Sequence, residues 1–350
     1  MSVLKIGPRI VGAGRPPLVI AEIGVNHDGS VDRALELVGI AAECGADAVK
    51  LQLFSADRLM HGAAAFAAYQ KARCEDASPA RMLRRYELSE GESARVVQAI
   101  RAKGLIPLAT PFSPADVQAV ERFNLPAVKI ASPDLVNRPL LQCAARLGRP
   151  LIVSTGASAM QEVEATVWWL REWGVGFALM HCVSSYPTPA EQANLCWIGE
   201  LSSRFEVVAG FSDHTTDPLA GALAVAAGAG IVEKHLTYDR SAAGPDHAAS
   251  ADPEQFARYV RSVRDAHRMV GRPGKRVLKI EQDVRKVSRQ SLVARCRLAV
   301  GQTIREEDLT VKRPGTGIPA AMIERVAGRR MRCDVEPDTL LTWDMLADAA

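Results

Sequence analysis

The sequence has no excess of charge of either sign, no paired cysteines and no apolar run long enough to cross a bilayer. Its 43 lysines and arginines stand against 40 aspartates and glutamates, a formal net charge of +3. Nothing in that balance demands a nucleic acid or a membrane surface as partner. Small anionic ligands stay open, because they respond to local charge. The seven cysteines, at 44, 74, 143, 182, 196, 296 and 333, form no CxxC pair and are odd in number. That argues against a disulfide framework or a zinc knuckle and for a reducing compartment. The longest apolar stretch, Leu219 to Val232, is 14 residues rich in Ala and Gly, too short for a transmembrane helix. The opening "MSVLKIGPRI" has no apolar core of the signal-peptide kind. A soluble cytoplasmic protein is expected.

What is present is a rhythm of short apolar strand, polar or Gly-containing loop, and helical segment. Strands are expected near 18–24, 48–54, 106–112, 127–132, 151–156, 177–183, 207–214 and 230–237. Helical patterns lie between and after them, among them 31–44, 89–103, 137–147, 160–173, 217–228 and 253–270. Eight such alternations over residues 1–270 match an α/β chain folded as a (β/α)8 TIM barrel in count and length. A doubly wound sheet is the alternative. Residues 55–88 lengthen the loop after the second strand, and loops of that length are often functional. The segment 271–284, with "GRPGKR", is expected as a linker. Short β-like pieces separated by Gly, Pro and charge then suggest a small, mainly β domain over 285–350.

In a barrel, residues at the C-terminal ends of strands face the active-site mouth. Those ends carry Glu22, Lys50 and Gln52, Thr110, Lys129 with Ser132 and Asp134, Ser154 and Thr155, His181, Ser212 with Asp213 and His214, and Glu233 with His235. Side chains alternate along a strand, so Lys50/Gln52, Ser212/His214 and Glu233/His235 are same-face pairs, with Lys234 facing the other way. For any single position, a strand end reaching water explains the polarity equally well, and His181 also fits a hydrogen-bonded core histidine. Unpaired lysines are rarely buried, so Lys50 and Lys129 are harder to explain away. Lysines with hydroxyls suit a phosphate or carboxylate. His214 and His235 suit a divalent metal with open positions, or simply hydrogen-bond. Glu22, if burial raises its pKa, suits a general base.

The same residues carry a family likeness. "AEIGVNHDGS", "ADAVKLQLF", "ATPFS", "KIAS", "STG", "HCVSSYPTP", "GFSDHT", "EKH" and "GPDHAAS" occur here in an order that resembles the sialic acid synthase family. "RQSLVARCRLAVGQTIREEDLTVKRPGTGI" resembles that family's C-terminal antifreeze-like SAF domain. The resemblance implies a metal-dependent condensation of phosphoenolpyruvate with an N-acetylmannosamine-type sugar, giving a nine-carbon 2-keto-3-deoxy acid and phosphate. It implies that His214 and His235 bind Mn²⁺, or alternatively Mg²⁺ or Co²⁺. Lys50, Thr110, Lys129, Ser132, Ser154 and Ser212 would hold phosphoenolpyruvate, with Phe112, Ser184 and Tyr186 in the same binding set. Glu22 would act on the attacking water, and Asp134 would stand with it among the catalytic groups. Gln52, Glu233 and Asp246 would contact the open-chain sugar. Arg313 would reach the sugar's N-acetyl group from the partner in a domain-swapped homodimer; without the likeness it is a solvated loop charge. Two positions depart from the common pattern: Asp134 where many members have Glu, and Ser184 where some have Asn. A related 3-deoxy sugar acid synthase using a phosphorylated sugar, or a non-catalytic sugar-binding or assembly protein on the same fold, are the competing functions.

Overall fold

The computed structural model describes residues 2–62, 64, 65 and 78–347. The chain divides into two compact units, Met1–Arg272 and Pro273–Ala350.

Eight parallel strands build the first unit: β3 (Leu18–Gly24), β4 (Ala48–Leu53), β5 (Ile106–Pro111), β6 (Val128–Ile130), β7 (Leu151–Ser154), β8 (Phe177–Cys182), β9 (Val208–Asp213) and β10 (Ile231–His235). They are buried along their whole length apart from Gln52, as strands covered by helices must be. Hydrogen-bonded neighbours run β5-β4-β3-β10-β9-β8-β7-β6. The first barrel strand thus pairs with the eighth, Ile231 opposite Leu18 and His235 opposite Glu22. β5 and β6 lie side by side at the remaining seam, with no registered ladder between them among the described residues. The result is a nearly closed (β/α)8 barrel.

The alternation of the strands sorts the core into two shells. Leu18, Ile20, Ala48, Ile106, Leu108, Ala127, Ile152, Ala178, Met180, Val208 and Ile231 cluster inside the barrel. Val19, Ala21, Val49, Ala109, Val128, Val153, Leu179, Ala209 and Val232 face outward onto the helices. An antiparallel hairpin precedes the barrel, β1 (Val3–Ile6) and β2 (Arg9–Gly12), and the expectation from sequence did not include it. Its Ile6 and Val11 join the inner cluster and plug the end of the barrel away from the site.

Helices start where the sequence provides caps. Ser30 and Ser113 accept from the backbone at Arg33 and Asp116, and Ser89 forms a capping box with Glu92. Among the described residues, the loop after β4 contributes two short helices, Ala56–Leu59 and Pro79–Arg84. Residues 63 and 66–77 of this 55–88 loop lie outside the described residues.

The second unit pairs β11 (Ser291–Ala294) with β12 (Leu309–Lys312) antiparallel. It adds isolated bridges such as Val293 with Leu340 and Leu298 with Val335. Leu292, Leu298, Ile304, Leu309, Ile318, Val326 and Leu341 form a core of its own. A helix, Gln282–Ser288, precedes β11 and crosses the boundary expected between linker and small domain.

Candidate active site

A cavity of about 530 Å³ opens at the C-terminal ends of the strands. The strands and the turns that follow them place Lys50, Gln52, Thr110, Phe112, Lys129, Ser132, Asp134, Ser154, Ser184, Tyr186, Ser212, His214, Glu233, His235 and Asp246 around it. Of the catalytic and binding residues that the resemblance implies, two lie elsewhere. Glu22 is fully buried and does not line the cavity; it stands against it through Lys50. Arg313 belongs to the second unit, where it is exposed.

The charges are arranged in contact. Lys50 Nζ sits 2.6 Å from Glu22 Oε2 and 3.4 Å from Glu233 Oε1, and donates to Thr110 Oγ1 at 3.0 Å. Burial works against the Lys50 cation, but Glu22 and Glu233 outweigh it and raise its pKa. Burial, reinforced by Glu233, raises the pKa of Glu22 despite Lys50, while Gln52 Nε2 donates to its Oε1 at 3.0 Å. Glu233 goes the other way: burial opposes its charge, yet Lys129, Lys50 and the two histidines bring its pKa to about 2. Lys129 donates to Ser154 Oγ at 2.5 Å and to Ile130 O at 3.1 Å. It makes no ion pair with a carboxylate among the described residues, and burial lowers its pKa. A buried ammonium in that position favours an anion as its partner. Asp134 stands on the 3-10 turn Ser132–Val136, accepts from Asn137 Nδ2 at 2.9 Å, and is raised by burial.

His214 and His235 face each other with ring centroids 5.5 Å apart, and Tyr186 lies 4.1 Å from the His214 ring. His214 Nδ1 donates to Val183 O at 2.8 Å, so in the neutral ring Nε2 carries the lone pair; burial opposes the His214 cation, but Cys182, Val183 O and Asp213 raise its pKa. His235 Nδ1 is buried without a hydrogen bond, 3.5 Å from Asp246 Oδ2. Burial, with His214 and Lys50 nearby, holds His235 well below its ordinary pKa, so its ring is neutral. Two imidazoles, one with its distal nitrogen oriented by a carbonyl and one with an unsatisfied nitrogen, fit a divalent cation. Among the described residues no group of three or more His, Cys, Asp and Glu is arranged for a metal ion.

Strand parity decides between the two readings of His181 and brings in a residue, Cys182, that the sequence did not flag. His181 lies one residue off the inward-facing Met180 and Cys182, so it points outward; its Nε2 meets Ala193 O at 2.7 Å and its ring stacks on Phe211. It is a core histidine. Cys182 lines the cavity, with Sγ 3.4 Å from Ser132 Oγ and 3.8 Å from His214 Nδ1. Burial pushes its thiol up, but His214, Ser132 and Lys129 bring it down to about 7. The outer wall is apolar, with Leu59, Met60, Met82 and Leu83 from the 55–88 loop beside Phe54 and Phe112. The length of that loop was the available signal.

A nearly closed parallel barrel with buried cations, hydroxyls and paired imidazoles at one rim defines a barrel enzyme acting on a small anionic substrate. More specifically, the chain belongs to the NeuB family, which it matches over residues 37–275, and it carries a SAF domain over residues 289–347. It is 36% identical to the N,N'-diacetyllegionaminic acid synthase of Legionella pneumophila over 97% of this chain and 96% of that protein. It is 31% identical to the N-acetylneuraminate-9-phosphate synthase of Mus musculus over 94% of this chain and 92% of that one. Among solved structures, the N-acetylneuraminic acid synthetase of Leptospira borgpetersenii superposes with a TM-score of 0.73 at 31% identity, covering 81% of this chain and 95% of that one.

Proposed function

We propose that this enzyme joins phosphoenolpyruvate to the open-chain form of an N-acetylmannosamine-type sugar, releasing phosphate and a nine-carbon 2-keto-3-deoxy acid. The observation that carries the proposal is Lys129, buried beside Ser154 and lining the cavity, with no carboxylate paired to it among the described residues. The names of the relatives support the same class of reaction.

In this reaction C3 of the enolpyruvate bonds to the sugar aldehyde carbon, water adds at C2, and the C2–O bond to phosphate breaks. Lys129 and Lys50, with Thr110, Ser132, Ser154, Ser184 and Ser212, hold the carboxylate and phosphate; Phe112 and Tyr186 shape that end. Two cations over two anionic groups fix the nucleophile in place, the entropic part of the rate gain. Gln52, Glu233 and Asp246 hydrogen-bond the sugar hydroxyls. His214 and His235 would hold a divalent metal, Mn²⁺ first with Mg²⁺ and Co²⁺ as alternatives, which would supply Lewis acidity. Glu22, buried beneath Lys50 with a raised pKa, takes up the proton released by the attacking water by way of that lysine. Asp134 faces the reacting groups from the β6 turn. We further propose a homodimer in which Arg313 serves the cavity of the partner subunit.

The test is phosphate release in mixtures lacking one component at a time. Release requires phosphoenolpyruvate, an N-acetylated mannosamine-type sugar and a divalent metal together, and chelation abolishes it. N-acetylmannosamine, its diacetylated 6-deoxy relative and the altrosamine-type isomer are compared by kcat/KM. A seven- or eight-carbon product from a phosphorylated sugar would overturn the proposal.

A further inference from the structure

Two residues at the cavity, Pro245 and Asp246, come from the loop after β10, and side chains of the loop after β3 hold that segment. Backbone bonds close its neck: Leu236 N donates to Glu22 O at 2.8 Å, and Thr237 N to Ala251 O at 2.9 Å. The fully buried Asn26 donates through Nδ2 to Leu236 O at 2.9 Å and to Ser250 Oγ at 2.8 Å. Ser250 Oγ in turn donates to Asp246 O at 2.8 Å.

Beyond the neck the hold passes to Asp28 and His247. His247 is fully buried, with Nε2 2.9 Å from Asp28 Oδ1 and Nδ1 2.7 Å from Thr237 Oγ1. Asp28 Oδ2 accepts from Tyr238 Oη at 2.7 Å. Burial pushes the Asp28 carboxyl up, but His247, Tyr238 and Arg33 outweigh it and keep its pKa below the ordinary value. An ionised carboxylate only accepts, so His247 Nε2 is the donor to it. The Tyr238 ring meets the imidazole edge-on, with centroids 5.3 Å apart. Gly244 closes the ring in further: a Cβ there would come 2.7 Å from His247 Cδ2 and 3.3 Å from Tyr86 Oη. The chain thus lies on the imidazole at residue 244 and carries it at residue 247. The two residues between are the ones that line the cavity, and Asp246 Oδ2 stands 3.5 Å from His235 Nδ1.

Neither Asp28 nor His247 lines the cavity. We propose that they are positioning residues: the Asp28 carboxylate orients the His247 imidazole, and the imidazole fixes Pro245 and Asp246 at the sugar end of the cavity. The sugar end rests on the reaction proposed above; the hold on the loop does not.

Kinetics with the two substrates varied separately tests this role. Asp28→Ala should raise KM for the sugar about tenfold to a hundredfold and leave KM for phosphoenolpyruvate unchanged. Asp28→Asn, which keeps an oxygen acceptor for His247, should recover most of that loss. Tyr238→Phe, which keeps the ring and removes the other partner of Asp28, should leave both KM values unchanged. A merely structural role would lower the folded fraction, and with it kcat, while both KM values stayed as they were. Hydrogen exchange on the chain without substrates reads the hold itself. The amides of Ala249 and Ser250, which donate to Asp246 O and His247 O, should exchange about tenfold faster in Asp28→Ala than in the unaltered chain. The proposal is overturned by unchanged exchange at those amides, by a sugar KM that does not move, or by KM values that rise equally for both substrates. If the unaltered chain releases no phosphate with any of the sugars, the reaction proposed above fails, and the exchange rates alone decide whether Asp28 holds the loop.

Discussion

At the scale of single residues, the period of two along each strand made the rim legible. Lys50 with Gln52, Ser212 with His214, and Glu233 with His235 each share a face and line one cavity. Depth was not legible. Glu22 has the right parity but lies beneath the cavity wall, because its height is set by the stagger with which β3 pairs β4 and β10. Cys182 was missed because a thiol in an apolar strand looks like a small hydrophobe. His27 carries a testable consequence. It is 2% exposed and accepts from Gly29 N at 3.1 Å; burial lowers its pKa from 6.5 to about 4. Between those values the unfolded imidazole binds the proton more readily than the folded one. Stability therefore falls as pH is lowered through that window, with a slope from this group of up to about 1.4 kcal/mol per pH unit. Urea unfolding at pH 7.0 and 5.0 should show a smaller acid loss in His27→Gln than in the unaltered chain. Equal losses would remove His27 as the cause.

At the scale of an element, β10 places two neighbouring charges in different environments. Glu233 faces the cavity beside Lys50, and Lys234 faces outward onto Asp213. Lys234→Met leaves Asp213 buried without its cation and should lower the unfolding free energy by about 3–5 kcal/mol, read as a fall in the urea midpoint. Glu233→Gln should cost less stability, because Lys50 keeps Glu22 at 2.6 Å. Its effect should appear in turnover, with kcat/KM down roughly tenfold to a hundredfold. Reversed rankings would mean that the two faces of β10 have been exchanged. Element positions came through well from sequence: the expected strand near 230–237 is Ile231–His235, and the expected helix over 253–270 is Pro253–Val270. The hairpin β1–β2 did not, since two four-residue strands are too short for periodicity to register. Nor did the apolar wall from the 55–88 loop, whose inward-facing residues follow no helical or strand period.

At the scale of the whole molecule, the eight alternations were enough to specify a barrel, and the change in texture near residue 271 marked a second unit. The proposed contribution of that second unit to catalysis rests on Arg313, which is exposed and makes no ion pair among the described residues. Arg313→Ala should therefore leave the unfolding free energy within about 0.5 kcal/mol of the unaltered chain, as surface changes usually do. If Arg313 serves a partner's cavity, kcat/KM should fall roughly tenfold to a hundredfold, with the rise falling mainly on KM for the sugar. Light scattering should give twice the 37.7 kDa mass of one chain. A monomer with full activity and an indifferent Arg313 would show that the barrel works alone.

The hairpin at the barrel's closed end imposes an order on folding. Gly12 lies so close to Gly230 and Val208 that a Cβ on Gly230 would come 3.1 Å from both Gly12 Cα and Val208 Cγ1. The stopper precedes its seat along the chain: that seat is complete only when the eighth stave, more than two hundred residues later, has arrived. Contacts that distant along the chain make closure slow, and until then Ile6 and Val11 are exposed apolar surface of the kind that invites aggregation. A chain re-opened between residues 12 and 18, with the hairpin joined behind the barrel instead, would make the stopper last and should refold with fewer losses.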